Sequence, residues 1–290
     1  MRVSSEQVNM ADIPKLRVVA LIVGNPQAME LWTLKNLAAV SGSLSVVRAE
    51  YGSGLSARKR LRGLVRQHGT IAVASRVLGN QVFARIHERR ESRQLERLFD
   101  GPYLREWWCA SGIRPVTVPH LNHKEAHAAI AALHPDILVR VSGGVLKRPT
   151  FAQARLAAIN IHHGIAPRIR GMWSIPWGIV EGRPDWIGAT VHQIDDGIDT
   201  GRVFWRGSPQ IAPGDTATTL FFRAHLEAVE ALTRVIRSYT RGETPEVWRS
   251  DDEGEPSVYR SAPGIGTWIR FFGLQEGRRC DAILERSFKC

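Results

Sequence analysis

Hydrophobic and polar positions at the start of the chain are arranged in blocks that predict a strand, a helix and a second strand. Residues 17–23 form a run rich in β-branched residues, and the Gly-Asn-Pro of residues 24–26 predicts a turn after it. From residue 28 to residue 40 the apolar positions have helical spacing, and residues 44–47 form another short apolar run. A strand, a helix and a strand at this spacing indicate a βαβ unit in a parallel sheet.

The same rhythm resumes after residue 101 and continues to about residue 241. The predicted helices cover residues 102–111, 124–133 and 215–241, and the predicted strands cover residues 115–118, 136–139, 156–162, 186–194 and 201–205. Beyond them, residues 245–260 predict a hairpin, and residues from Gly264 onward predict a tail. The chain is therefore predicted to be an α/β protein with a Rossmann-like, mostly parallel sheet and flanking helices.

Residues 52–98 interrupt this rhythm, because arginine becomes frequent while apolar residues recur at helical spacing. The pattern predicts two or three amphipathic helices inserted into the sheet domain. A basic helix face can contact a phosphate, a polynucleotide or a membrane surface. A solvated face over a packed apolar stripe is an equally good interpretation.

Composition adds a preference for anionic partners. The formal net charge is +11 and the isoelectric point is about 10.3, which favours nucleic acids, nucleotides or phosphorylated substrates without choosing among them. The three cysteines, at 109, 280 and 290, are not spaced as a metal-binding pair, and their odd number argues against a disulfide framework. With no signal-peptide pattern and no run long enough for a membrane span, we expect a cytoplasmic protein.

Asn160 and His162 carry the first candidate chemistry, because they lie two positions apart near the end of a predicted strand. Side chains alternate between the faces of a strand, so the amide and the imidazole are expected on the same face. In open α/β sheets, ligands bind at the carboxyl ends of the strands. Gly164, Pro167 and Gly171 predict an irregular loop after this strand, which lets backbone approach a ligand closely.

Residues 195–201 supply the second candidate, since three aspartates and two glycines lie on this short connection between predicted strands. A carboxylate near His162 would raise the pKa of the imidazole and favour its protonated form. A protonated histidine beside an asparagine amide would stabilise the oxyanion of an acyl-transfer intermediate, and the carboxylate would accept a proton from an attacking amine. An isolated Asn-x-His or acidic turn is usually structural, so only their combination indicates a catalytic site.

The segment at residues 160–171, Asn-Ile-His-His-Gly-Ile-Ala-Pro-Arg-Ile-Arg-Gly, resembles a motif of the folate-dependent formyltransferase family. The family pattern is Asn-Ile-His, then a proline, then Arg-Gly. Residues 187–192 and the Asp-Asp-Gly-Ile-Asp-Thr-Gly of residues 195–201 resemble its second block. Residues 134–139 and 143–146 resemble the block that lines the folate pocket. The resemblance is close over about residues 120–235 and loose over residues 15–50.

This resemblance implies the formyltransferase fold and a division of the chain into three parts. Residues 1–14 would be an N-terminal tail, residues 15–242 the catalytic domain with the basic helical insertion at about 52–98, and residues 243–290 a small C-terminal extension.

The resemblance also assigns roles to residues, with 10-formyltetrahydrofolate as the formyl donor and no metal. The catalytic residues would be Asn160, His162 and Asp199. The donor would contact Gly143, Gly144, Val145, Leu146, Ile194, Asp195 and Gly197. The substrate-binding residues would be His163, Arg170, Gly171 and Trp173.

The expected activity is N-formylation of a primary amine on a small, anionic acceptor such as an amino-sugar nucleotide. One alternative is a formyltetrahydrofolate deformylase, because His163 replaces the usual proline and such hydrolases often carry histidine there. Another is a tRNA-directed formyltransferase with residues 52–98 contacting RNA, although the C-terminal part is too short for the full tRNA-binding domain. A homodimer formed through the C-terminal segment is also left open.

His120, His123 and His127 are spaced as one face of a helix, which would suit a metal site. Histidines at such spacing more often form a solvent-facing set, and we therefore expect no metal.

Overall fold

The structure is a computed structural model that describes residues 16–50, 65–66, 69–248, 254 and 256–276. Its strands are β1 (Arg17–Val23), β2 (Ser43–Ala49), β3 (Val116–Val118), β4 (Ile137–Arg140), β5 (Ala157–His162), β6 (Arg170–Gly171), β7 (Ala189–Gln193), β8 (Val203–Gly207) and β9 (Tyr259–Arg260). Within the described residues, seven strands form one sheet in the order β3-β2-β1-β4-β5-β7-β8. Neighbouring strands from β3 to β5 run parallel, and β7 and β8 are antiparallel to their neighbours. The predicted, mostly parallel sheet is confirmed.

Helices flank this sheet, and most of the predicted ones lie within two residues of their predicted bounds. They are α1 (Ala28–Val40), α2 (Thr70–Gly79), α3 (Arg85–Leu98), α4 (Gly101–Ala110), α5 (Lys124–Leu133), α6 (Arg148–Phe151), α7 (Ser174–Glu181), α8 (Ala217–Thr240) and α9 (Ile265–Glu276). A π-helical stretch at Asn80–Ala84 joins α2 to α3, and a short 3-10 turn at Pro184–Trp186 precedes β7. Thr216 caps α8, because its side chain accepts a hydrogen bond from the Thr219 N–H.

The alternation of side chains along β1 shows why both faces of the sheet need cover. Val18 and Ile22 belong to one buried cluster, which α1 and α8 complete. Val19 and Leu21 belong to a second cluster on the opposite face, which α5 completes. A strand buried on both faces reads as a continuous apolar run, as this one does.

The arginine-rich segment is helical over residues 70–98, as predicted, while residues 52–64 lie outside the described part of the chain. The predicted tail after Gly264 is wrong, because α9 forms there. Trp268 and Phe271 of α9 are fully buried, in one cluster with Ala84 and residues of α7 and α8. The arginine-rich segment and the segment that contains α9 approach so closely that a Cβ on Gly79 would lie 3.0 Å from the Pro263 carbonyl oxygen. Each of these two segments thus gives the other an apolar surface to pack against, which neither finds in its local sequence.

The predicted hairpin at residues 245–260 is also wrong. Trp248 pairs with Val203 at the edge of the large sheet, whereas β9 pairs in parallel with β6. The two ends of this segment therefore join different parts of the molecule.

Among the helices that the structure describes, none is long and apolar enough to cross a membrane.

The expected face of three histidines on one helix does not form. His120 and His123 precede α5, where His123 caps the helix, and His127 within it contacts Thr150.

Candidate active site

Asn160 and His162 lie at the carboxyl end of β5, the last parallel strand before the sheet changes direction. Asn160 is opposite His192 of β7, and His162 is opposite Thr190. Both Asn160 and His162 are buried. The predicted position at the end of a strand is confirmed.

Asp199 reaches these two residues from the turn at residues 195–201. Asp195 shapes the turn by accepting hydrogen bonds from the Gly197 N–H at 3.0 Å and the Thr200 hydroxyl at 2.7 Å. Asp199 itself has a left-handed backbone, with φ 52°. Its Oδ2 lies 3.3 Å from His162 Nδ1 and accepts the Gly171 N–H at 3.0 Å. The structure thus brings the three predicted catalytic side chains together.

The protonation state of His162 differs from the expectation. Burial lowers the pKa of His162, and this outweighs the opposing effect of the Asp199 carboxylate. Burial alone would raise the pKa of Asp199, but His162, His192 and the Gly171 N–H together hold it well below its ordinary value. The resting pair is therefore an ionised aspartate and a neutral histidine, because removing the ring from water penalises its charged form. Asp199 does raise the pKa of His162, as predicted, but burial turns the net shift into a lowering, so the expected protonated form is not the resting one.

The surroundings of His162 nevertheless suit a second proton. The carboxylate beside Nδ1 assigns the single proton of the neutral ring to that nitrogen. Nε2 lies 3.4 Å from the Ser174 hydroxyl oxygen and 3.1 Å from the Ile169 carbonyl oxygen. A proton taken up at Nε2 would therefore find an acceptor at once.

Two residues missed by the sequence analysis, Arg140 and His192, hold Asn160 in place. Arg140 Nε donates to Asn160 Oδ1 at 2.7 Å, and Arg140 Nη1 donates to the Gly143 carbonyl at 2.6 Å. Asn160 Nδ2 lies 3.0 Å from His192 Nε2. Because the Asn160 oxygen accepts from Arg140, the amide NH2 is fixed as the donor group. The sequence signal for Arg140 was an arginine at the end of an apolar strand. The signal for His192 was its position opposite Asn160 in the neighbouring strand.

A cavity of about 300 Å³, here called the loop cavity, opens on one side of these residues. The residues predicted to contact the folate all line it: Gly143, Gly144, Val145, Leu146, Ile194, Asp195 and Gly197. Asn160, His162 and Asp199 complete its inner wall. The loop after β4 and the turn after β7 are therefore neighbours in space, although β7 runs antiparallel to β5, because the turn brings Asp199 beside His162.

A second cavity, of about 210 Å³ and here called the helix cavity, also borders His162. Of the predicted substrate-binding residues, His163, Gly171 and Trp173 line it. Arg170 lines neither cavity; its Nε donates to the Ser257 hydroxyl at 2.9 Å. Three helices provide further wall residues that were not predicted, including His87, Glu91, Ser174 and Phe221. His162, Arg140 and Gly171 border both cavities.

His163 belongs to a buried chain of hydrogen bonds behind the helix cavity. Its ring stacks on Phe221 with centroids 4.1 Å apart, and its Nε2 lies 3.0 Å from His225 Nδ1. His225 Nε2 lies 3.0 Å from the Thr33 hydroxyl, which donates to the Met29 carbonyl. Burial and the nearby charges of His225, His162 and Arg140 place the pKa of His163 well below its ordinary value. Burial lowers the pKa of His225 to about 4, so both histidines are neutral at pH 7, and His163 is the one that lines the cavity.

The arrangement suits transfer of an acyl group between two bound molecules. One donor amide and one histidine that can gain a proton stand where two cavities meet. Such groups stabilise the negative oxygen that forms when a nucleophile attacks a carbonyl.

Comparison with known proteins gives a family match. A sequence model of the family described as Formyl transferase matches residues 64–236, more than half of the chain. Residues 64–98, treated above as part of an insertion, lie within the match.

Among curated proteins, the chain is 29% identical over 178 residues to the methionyl-tRNA formyltransferase of Anaeromyxobacter dehalogenans (strain 2CP-C). This alignment covers 61% of the chain and 53% of that protein. The chain thus spans about half the length of the curated relatives it matches.

Two solved structures share the fold. A 4-N formyltransferase from Francisella tularensis matches with a TM-score of 0.50 and 14% identity, covering 84% of this chain and 76% of that one. Glycinamide ribonucleotide transformylase 1 from Symbiobacterium toebii matches with a TM-score of 0.50 and 16% identity, covering 81% of this chain and 94% of that one. At these identities the likeness concerns the fold.

Proposed function

Because this chain belongs to the formyl transferase family, we propose that it transfers a formyl group from 10-formyltetrahydrofolate to a primary amine of a small acceptor, such as an amino-sugar nucleotide. The observation that carries the proposal is the position of His162, which borders the loop cavity and the helix cavity beside Asn160 and Asp199. A donor in one cavity and an acceptor in the other would therefore both reach one histidine. The net charge of +11 supports an acceptor that carries phosphate.

The loop cavity fits the folate. Val145 is 56% exposed and Met172 is 51% exposed, although both are large apolar side chains, and both line this cavity. Apolar walls with backbone groups at the edges suit a flat heteroaromatic ring. When bound, 10-formyltetrahydrofolate supplies a formyl group on a nitrogen atom.

The roles of the three central residues follow from their hydrogen bonds. Asn160 presents its NH2 to the oxygen that becomes negative during attack, because Arg140 holds its other end. Asp199 keeps the Nδ1 proton of His162, which leaves the Nε2 lone pair to accept a proton from the attacking amine. The protonated ring then donates to the negative oxygen, and the nearby carboxylate of Asp199 stabilises its charge.

The test is to incubate the protein with 10-formyltetrahydrofolate and a panel of thymidine- and uridine-diphosphate amino sugars. We expect tetrahydrofolate to form only when an amine is present, together with an equal amount of formylated amine. Formate release without any amine would identify a hydrolase instead. Folate left unchanged across the panel, with methionyl-tRNA included, would contradict the proposal.

Methionyl-tRNA is the second candidate acceptor, supported by the names of the curated relatives. Basic residues of the arginine-rich segment would then contact the phosphates of the RNA. We expect formylation of methionyl-tRNA to weaken steeply with salt in that case, since phosphate contacts release counterions. Equal rates at low and high salt would argue against this acceptor.

A further inference from the structure

Glu91 places a carboxylate in the wall of the helix cavity, far along the chain from Asn160, His162 and Asp199. It lies on α3, and its side chain is 17% exposed. The other titratable or charged groups that line this cavity, among the described residues, are His87, Arg140, His162 and His163. The contributions of α7 and α8 to the wall are uncharged side chains. Glu91 is therefore the acidic group of the described wall.

The Glu91 carboxylate has little to neutralise it. The contact that the structure gives it, within the described residues, is with His87 Nε2 at 3.7 Å, which is longer than a hydrogen bond. Burial and the nearby charge of Arg90 lower the pKa of His87 to about 4, so this ring is uncharged at neutral pH. Its neighbours are the aromatic rings of Trp173, Trp268 and Phe271, which exclude water from it.

A carboxylate in this position calls for a cation from outside the protein. The charged neighbour that acts on Glu91 is Glu88 of the same helix, which has the same sign. This is so although the chain has 39 lysines and arginines against 28 acidic residues. Burial, with this like charge, raises the pKa of Glu91 to about 7. A buried carboxylate without a partner is costly, and a bound ammonium group would remove that cost.

We propose that Glu91 binds the acceptor as an ammonium ion in the helix cavity and takes its first proton, so that the amine is ready to attack. This rests on the proposed function, in which the nucleophile is a primary amine. Such an amine is protonated at neutral pH and has no free electron pair until one proton leaves.

The proton balance divides the work between two residues. One N–H bond of the ammonium ion breaks and its proton forms an O–H bond on Glu91, leaving a neutral amine. The nitrogen electron pair then forms the bond to the formyl carbon. The second proton passes from that nitrogen to His162 and on to the donor nitrogen, whose bond to the formyl carbon breaks. Glu91 releases its proton to solvent before the next turnover. Asp199 is poorly suited to the first step, because it already bonds His162 and Gly171 and its pKa lies well below the ordinary value.

The first experiment needs no turnover. Protein labelled with 13C in the glutamate carboxyl groups is titrated with pH by NMR, and Glu91→Gln identifies the Glu91 signal. We expect ethylammonium chloride to lower the pKa of Glu91, because the cation binds its ionised form, while sodium chloride at the same ionic strength leaves it unchanged. Glu106, exposed on α4, is the internal control. Identical titrations of Glu91 in the two salts would overturn the proposal.

The second experiment follows the rate against pH with whichever amine the acceptor panel identifies. For Glu91→Gln we expect kcat/KM for the amine to fall about 10²-fold at pH 7, the usual contribution of a general base. The loss should shrink as pH rises, because the amine then arrives already neutral. The variant Glu106→Gln, at an exposed position of α4, should keep the wild-type profile.

The outcomes separate this proposal from the proposed function. A wild-type protein that formylates an amine, with Glu91→Gln showing the same pH profile and the same KM, would remove Glu91 from the reaction and leave the function intact. A loss in Glu91→Gln that persists unchanged at high pH would indicate a structural role and equally overturn the proposal. Ethylammonium binding at Glu91 in a protein without transferase activity would instead contradict the function alone.

Discussion

The loop cavity and the helix cavity meet at His162 but are assembled from different distances along the chain. Apart from Tyr259, the loop cavity is lined by residues 140–199, from the ends of β4, β5 and β7 and the loops that follow. The helix cavity takes His87 and Glu91 from α3 and Phe221 from α8. Most of the loop cavity is therefore formed by one continuous stretch of the chain, whereas the helices of the helix cavity are brought together by packing among themselves. One wall thus depends on local connections and the other on contacts between distant segments.

The largest expected effect is at the residue shared by the two cavities. His162→Ala should lower kcat about 10³-fold, because it removes the proton acceptor and a donor to the negative oxygen. Folate binding should change little, since most of the loop cavity remains. Single-turnover rates and folate binding by fluorescence measure the two quantities, with His120→Ala as a control. Near-wild-type turnover in His162→Ala would contradict the mechanism.

Arg140 should matter next, because it holds Asn160 and the loop after β4 together. Arg140→Lys keeps the charge but cannot reproduce the geometry of several guanidinium donors, so we expect kcat to fall roughly 10²-fold. The exposed Arg148, which pairs with Asp196, provides the matched control Arg148→Lys. Equal activities of the two variants would show that Asn160 is oriented without Arg140.

In acid, His87 in the wall of the helix cavity should destabilise the folded protein, while the raised pKa of its neighbour Glu91 acts in the opposite direction. The pKa of His87 is lowered to about 4 from an ordinary value of 6.5. Between these values the unfolded chain binds more protons than the folded one, so the free energy of unfolding falls as pH falls through this window. By pH 5 the loss is about 2 kcal/mol from this residue. Urea unfolding at pH 7 and pH 5 should show a smaller loss in His87→Phe than in the wild type, and an unchanged loss in His120→Gln.

The smallest expected effects distinguish the two walls. Val145→Ala should raise KM for the folate roughly fivefold and leave KM for the amine unchanged, since it removes exposed apolar surface from the loop cavity alone. Phe221→Ala should raise KM for the amine and leave KM for the folate unchanged, because Phe221 lines the helix cavity. Initial rates with each substrate varied in turn would measure this, and parallel changes in both KM values would show that the cavities do not act separately.

This contrast explains what the sequence could predict. The sheet, α1 and α5 follow from local periodicity, and the position of Asn160 and His162 follows from the alternation of side chains along β5. Every residue expected beside the folate lies in one cavity, in agreement with the motifs on which that expectation was based. The roles assigned to these residues remain predictions until tested.

What the sequence could not supply depends on distant packing. The sequence near α9 contains no apolar segment against which its apolar residues could pack, so this helix was predicted as a tail. Glu91 and His87 gave no local signal, since the placement of α3 depends on side chains about 180 residues away, such as Trp268 and Phe271. The direction of the pKa shift of His162 was predicted wrongly because it is set by burial, which a pattern of charges does not reveal.

The pairing of β6 with β9 has a consequence for how the protein is made. The Gly171 N–H that bonds Asp199 lies in β6, whose neighbour is Tyr259–Arg260. A Cβ at Gly171 would lie 2.2 Å from the Arg260 carbonyl oxygen, so the two strands are in close contact. During translation, the ribosome completes Asn160, His162 and Asp199 long before it reaches residue 260. The nascent chain therefore carries these residues before β9 can pair with β6, and the site is completed only when the last part of the described chain has emerged.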